Sequence, residues 1–408
     1  MSQPAPRKFQ PHPFTWHQEI ELEITTLTNM GQGLGRLDGW VIMVPFALPG
    51  ELIRARVWRN DKNFSDADLI EVLRPSPYRI DPKCPLFGHC GGCQYQHLAY
   101  PEQLAWKRRQ VQELLLHMVK VEFPVSEVIP SPAVWGYRSK ITPHFEPHKG
   151  QPVTEVGFLR AGRRKEIVDV TRCEIATEAI NAALPAGRAQ VMSRTWKRGG
   201  TLLMRDTDAG VLSDPNATAM ATVAGLKFEF LAGDFFQNNP FILETFTSWA
   251  VDQARAGGAE FLVDAYCGSG LFSLFAARHF KEVTGIEIAA TAVTRAAQNA
   301  ARNGLTNCRF VAGSAEKIFE QITSDPARTA VLIDPPRRGS DELFLQQLIA
   351  FGPETIVYVS CNPATQMRDL RILLDAGWQL TAVQPFDLFP HTKHLESITV
   401  LRRSGTTP

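Results

Sequence analysis

The chain has 408 residues, room for two to four domains at roughly 100–200 residues each. Its side chains are 44% apolar and 21% charged, ordinary for a protein that buries a core, and 29 Gly with 28 Pro is too little for a collagen-like or disordered chain. Net charge is +1, so the total points to no polyanionic partner, but residues 101–200 carry 16 basic against 10 acidic side chains on an acidic background.

The opening MSQPAPRKFQPHPFTWH has no apolar core of the signal-peptide kind, and no apolar run approaches the ~20 residues of a membrane helix. Seven cysteines, an odd number in a long chain, fit a reducing compartment better than a disulfide framework. A cytoplasmic monomer with no membrane partner is expected.

Residues 17–73 alternate apolar and polar in the β manner, punctuated by the glycine cluster GQGLGRLDG, and read as a small barrel or sandwich. Proline and cysteine then crowd into RPSPYRIDPKCPLFGHCGGCQYQ. There Cys84-x5-Cys90-x2-Cys93 sets three thiols within ten residues, and Gly91 and Gly92 allow the chain to wrap. With Cys173 as a distant fourth ligand, such a set suits zinc or an iron–sulfur cluster, the spacing leaning slightly to the cluster. A helix is predicted over 101–118, followed by strands in ITPHFEP, TEVGFLR and EIVDV. Lys107-Arg108-Arg109 and Arg163-Arg164-Lys165 are candidate phosphate-facing patches, solvated surface being the plainer alternative.

From about 236 short apolar runs alternate with helical stretches: FLVDAY, EVTGIEI, CRFVAG, TAVLIDP and ETIVYVS. That pattern predicts a parallel sheet covered on both faces, with ligands at the carboxyl ends of its strands. WQLTAVQPF and HLESITVLRR close the chain with no helix between them, which predicts an antiparallel pair at the sheet edge.

The first run ends in Asp264-Ala265-Tyr266-Cys267-Gly268-Ser269-Gly270, and the second ends at Glu287. Gly268 and Gly270 permit a tight turn and close approach to a ligand. Glu287 can accept both hydroxyls of a ribose. Ser273 stands where a dinucleotide fingerprint needs Gly or Ala, so S-adenosylmethionine is preferred, with NAD as the competitor and a bare strand–helix turn as the plain alternative. The fourth run ends in Asp334-Pro335-Pro336-Arg337. Amine methyltransferases carry a stacking aromatic where this chain has Arg337, which counts against that chemistry.

The fifth run ends in Ser360-Cys361-Asn362-Pro363. A thiol there fits methylation of a pyrimidine carbon: a thiolate adding to C6 of uracil makes C5 nucleophilic, and a base must afterwards take the C5 proton. Glu396 is the candidate base. A buried structural cysteine and a strand-edge carboxylate are the plain alternatives.

Together these residues resemble the bacterial RNA uracil-5 methyltransferases that act on 23S ribosomal RNA and transfer RNA. The likeness runs over about residues 17–403 and rests on Cys84-x5-Cys90-x2-Cys93 with Cys173, Phe236-Gln237, Asp264 to Gly270, DPPRRG, YVSCNPATQMRDL and HTKHLE. It implies a multidomain α/β chain: an OB-like TRAM barrel over 14–75 that binds RNA, a central α+β iron–sulfur domain over 76–235, and a Rossmann-like class I S-adenosylmethionine-dependent catalytic domain over 236–408. It further implies a [4Fe–4S] cluster on Cys84, Cys90, Cys93 and Cys173, Cys361 as nucleophile and Glu396 as base. Cofactor contacts are implied at Gln237, Tyr266, Glu287 and Asp334, with Gly268, Gly270 and Ser314 as further candidates. Leu271 and Ser314 depart from the family pattern, where Asn and Asp or Asn are frequent. Many tRNA-specific bacterial relatives lack both cluster and barrel, so 23S rRNA is the expected substrate. Alternatives are tRNA, methylation of another base or an amine, and a noncatalytic RNA-binding protein.

Overall fold

The computed structural model describes residues 5–147, 152–313 and 318–403, and within these leaves out the side chains of Arg163 and Arg164. Two compact units form: residues 1–110, 158–168 and 390–393 make the first, and the remainder makes the second. No helix among the described residues is long and apolar enough to cross a membrane.

The first unit holds a closed five-stranded barrel of β1 (Glu19–Leu27), β2 (Gln32–Leu37), β3 (Trp40–Pro45), β4 (Leu52–Asn60) and β5 (Phe64–Arg74), in the order β1-β2-β3-β5-β4. Strict alternation drives it. Ile20, Leu22 and Ile24 of β1 meet Ile53, Ala55 and Val57 of β4 in the interior, while Glu19 and Glu21 pair outward with Arg56 and Arg54. Each exposed pair contributes no more than ~1 kcal/mol. They do neutralise the arginines on that wall.

Of the glycine cluster expected to punctuate strands, Gly31 and Gly39 do so, at positive φ on either side of β2, while Gly33 and Gly35 lie inside it. A Cβ at Gly33 would come within 2.6 Å of the Ala47 carbonyl oxygen, and one at Gly35 within 2.3 Å of the Glu23 carbonyl oxygen. Backbone crossing this closely is why β2 carries glycine.

Further along the chain, α1 (Tyr100–Leu114) runs into a single π turn at Leu115–Val119, so the helix predicted over 101–118 is present with its last turn widened. Small antiparallel ladders follow, with α2 (Glu178–Met192) among them. The hairpin Thr218–Val223 and Leu226–Leu231 then leads into α3 (Leu243–Arg255).

The main sheet contains β6 (Phe261–Ala265), β7 (Glu282–Glu287), β8 (Cys308–Ala312), β9 (Thr329–Ile333), β10 (Thr355–Ser360), β11 (Trp378–Phe386) and β12 (Glu396–Arg403). Its order is β8-β7-β6-β9-β10-β12-β11, with β12 antiparallel to both neighbours. Helices α4 (Leu271–Ala276), α5 (Ala290–Arg302), α6 (Glu342–Phe351) and α7 (Pro363–Asp375) connect the parallel strands. All five residues of β9 and all six of β10 are buried, which explains why these strands read as unbroken apolar runs. The closing pair is present, with β12 lying inside β11. β6 and β9 run parallel, and between them the order of strand addition reverses, which opens the crevice in which such sheets hold ligands.

Candidate active site

The crevice begins at the end of β6. Asp264 is fully buried, and its Oδ2 accepts a 2.5 Å hydrogen bond from the Ser273 hydroxyl on α4. Its Oδ1, equally buried, has no partner. Burial pushes this carboxyl up to about 7, and the nearby Glu287 charge adds to the rise. Ser273 reaches Asp264 because Gly285 on β7 clears the way: a Cβ there would stand 2.5 Å from the Phe310 ring and 3.0 Å from the Ser273 hydroxyl. The residue that seemed a missing glycine is the anchor of the buried acid.

Gly268 and Gly270 adopt φ of +54° and +90°. A Cβ at Gly268 would meet nothing within 4 Å, so open space lies above the turn. Glu287 accepts from Gly268 N at 3.3 Å and from Ala289 N at 3.0 Å, which fixes its carboxylate at the lip of that space. Tyr266 also has positive φ (+66°), and its ring lies 5.2 Å from that of Phe344. An unsatisfied buried acceptor, an oriented carboxylate and an open glycine turn form a cradle for a ligand bearing an amine and ribose hydroxyls.

A second cluster lies where β9 and β10 end and the antiparallel β12 begins. Antiparallel register pairs Ser360 with Ser397, so one step further the ladder brings Cys361 opposite Glu396. Glu396 is buried, and burial together with the Asp334 charge raises its carboxyl well above the carboxylate range. Asp334 is itself pushed up to about 7 by burial and by Asp264. Burial pushes the half-buried Cys361 thiol up to about 12, reinforced by the Glu396 and Asp334 charges, while Arg337 acts the other way. Three acidic groups thus share one poorly solvated corner, where they hold protons readily.

Buried polar side chains fix this corner. Gln366 Nε2 donates to the carbonyls of Tyr358 (2.8 Å) and Ser397 (3.0 Å), tying β10 to β12. Asp369 Oδ2 accepts from the Tyr358 hydroxyl (2.6 Å) and from Ser340 N (2.8 Å), which holds the turn after Asp334. Gly339 completes that turn at φ +79°. Gln237 is buried beside Phe236, whose ring stacks on Phe230 at 4.4 Å, while the adjacent Phe235 is 75% exposed.

A family model described as tRNA (Uracil-5-)-methyltransferase matches residues 216–404, and a TRAM domain model matches residues 15–70. The chain is 41% identical to a tRNA (uracil(54)-C(5))-methyltransferase of Schizosaccharomyces pombe, over 96% of this chain and 79% of that protein. The chain belongs to the RNA uracil-C5 methyltransferase family. A Saccharomyces cerevisiae protein of the same name is 33% identical over 95% of this chain and 74% of its own length. The crystal structure of Pyrococcus abyssi tRNA (uracil-54, C5)-methyltransferase in complex with S-adenosyl-L-homocysteine superimposes with a TM-score of 0.73. It is 25% identical and covers 94% of this chain and 100% of that one.

Within this RNA methyltransferase the other expected sites fare differently. Cys84, Cys90 and Cys93 lie in the first unit and Cys173 in the second. Among the described residues no group of three or more His, Cys, Asp or Glu is placed to hold a metal ion. Lys107 is fully buried and is no part of an RNA-facing patch, because α1 turns it inward with Gln103 and Val111 while Arg109 stays exposed over Trp106. Ser314 lies outside the described residues, as do the side chains of Arg163 and Arg164; Lys165 is exposed.

Proposed function

We propose that this enzyme methylates C5 of a uridine in tRNA, at the position its relatives' names number 54, with S-adenosylmethionine as donor. The observation that carries the chemistry is the ladder register that brings Cys361 and Glu396 together beside Asp334 at the carboxyl end of the sheet. The donor reading is supported by the unpartnered Asp264 Oδ1, the oriented Glu287 and the open turn at Gly268, which suit an amine and a ribose. Gln237, Tyr266, Glu287 and Asp334 are the proposed contacts, and when bound the donor supplies an electrophilic methyl group.

The substrate reading shifts from 23S rRNA to tRNA. The ribosomal preference leaned on the barrel, yet the tRNA-specific relatives align over 94–96% of this chain, barrel included, so the barrel no longer discriminates.

The reaction follows from the acids. Cys361 gives its proton to water, and the thiolate forms a bond to C6 while the C5–C6 electron pair moves onto the ring as an enolate. C5 then takes the methyl group. Glu396, as carboxylate, removes the remaining C5 proton, the C5–C6 double bond reforms, and the thiolate leaves. Glu396 passes its proton to water before the next cycle. Its raised affinity for protons suits a base that must take one from carbon. The target uridine must leave its stack to reach this buried corner, which costs a few kcal/mol and is easiest in a loop.

The division at residues 75 and 235 and the [4Fe–4S] cluster remain proposals resting on the sequence pattern and its resemblance. No step above passes through the cluster. Methyl transfer to a tRNA transcript with U54, to its U54C variant and to 23S rRNA fragments tests the assignment. Product on the first alone supports it, and product on a ribosomal fragment alone restores the ribosomal reading.

A further inference from the structure

We propose that Arg337 is the cation that activates Cys361, favouring the thiolate as the uracil ring arrives. The inference rests on the reading of Cys361 as nucleophile and adds to it a group that the sequence weighed only as a missing aromatic.

Arg337 is docked at both ends. Its carbonyl oxygen accepts from Asn362 Nδ2 at 3.0 Å and from Thr365 Oγ1 at 3.2 Å, residues one and four places beyond Cys361. Its Nη2 reaches to 3.5 Å from His394 Nδ1, two residues before Glu396. The side chain therefore runs from the turn that carries the sulfur to the strand that carries the base. The groups facing the thiol here are Glu396, Asp334 and Arg337, with His394 beyond the guanidinium. Both carboxyls oppose ionisation of the sulfur, and Arg337 favours it; Arg337 also favours the ionised form of Glu396.

The chemistry needs such a group. A thiolate must form next to two acids in a corner with little water, and like charges there suppress one another. Arginine keeps its charge at every working pH, and its planar fork can face two neighbours at once. Arg337 is exposed, so its own charge stays hydrated.

Alkylation of the free protein by iodoacetamide tests this without RNA. The rate is followed from pH 6.5 to 10 on the Cys361-bearing peptide by mass spectrometry, for the parent, Arg337→Gln and Arg337→Lys. An opposite charge at close range shifts an ionisation by about one unit or more, so Arg337→Gln should react about tenfold more slowly below its inflection. Because the thiol's raised value lies above this range, the deficit should hold throughout it, and Arg337→Lys should recover most of the rate. In methylation assays Arg337→Gln should lower kcat and move its pH profile to higher pH with KM for tRNA unchanged. Alkylation profiles that coincide overturn the proposal, as does a defect confined to KM, which would make Arg337 a phosphate contact. Equal S-adenosylmethionine binding by parent and variant shows that the fold is intact. Absence of a covalent RNA adduct in the parent would instead refute the nucleophile reading, leaving the alkylation result to stand separately.

Discussion

Replacing Asp264 by Asn should stabilise the free protein while removing its grip on the methyl donor. In the folded state this carboxyl is completely buried, held on one oxygen by Ser273 and unpartnered on the other, and its pKa rises from 3.8 to about 7. Between those values the folded chain keeps a proton that the unfolded chain has released, so stability falls as pH rises and levels off above 7. At 1.36 kcal/mol per unit the penalty is about 2 kcal/mol at pH 5 and about 4 kcal/mol at pH 8.5. Asn carries no such charge, and its carbonyl can still accept from Ser273. Urea unfolding of parent and variant at the two pH values should show the variant's advantage growing by about 2–3 kcal/mol from the lower to the higher. Calorimetric titration with S-adenosylmethionine should show binding lost in the same variant, the usual conflict between stability and a functional buried charge. A variant equally destabilised at both pH values would refute the reasoning, because the charge would then not be what strains the site.

Gly339→Ala should cripple methylation, since the residue has φ +79° and a Cβ there would lie 2.6 Å from Arg368 Nη2 and 2.7 Å from Asp369 Oδ2. Strain of about 1–3 kcal/mol and a displaced Asp334 turn are expected, read as a lower Tm and a larger loss in kcat than in donor affinity. Methylation should rise with pH across the neutral range, because Cys361 and Glu396 both hold protons more tightly than usual and both must release them. A rate that falls with pH from 6 to 8 would contradict that order of ionisation. Iron and acid-labile sulfide in protein purified without oxygen should reach about four of each per chain if the cysteine spacing holds a cluster. Metal-free protein of full activity retires that proposal.

Much of the catalytic unit was legible in the sequence because buried parallel strands leave unbroken apolar runs and ligands gather where those runs end. Asp264, Glu287, Asp334 and Cys361 all sit at or near such ends. Glu396 was reachable by chemistry, since a thiolate adduct demands a base, and the ladder register then accounts for its place. What stayed hidden depends on three dimensions. Ser273 read as a failed glycine because its hydrogen bond spans a strand and a helix. Arg337 read as an absent aromatic because its partners come from two later segments. Lys107 read as surface because helical phase cannot be judged from three adjacent cations. Gly33 and Gly35 read as breaks, like Gly31 and Gly39 beside them, because the backbones they approach lie on other segments.

The most direct measurement uses tRNA carrying 5-fluorouridine at position 54. Fluorine cannot leave as a proton, so Glu396 has nothing to remove and the adduct should persist. Incubated with S-adenosylmethionine, the parent protein should run as a protein–RNA conjugate on a denaturing gel, with the RNA and one methyl group on the peptide containing Cys361. Cys361→Ser should yield none. Methylation of ordinary tRNA by Cys361→Ser at the parent's rate, with no conjugate in either protein, would contradict the account.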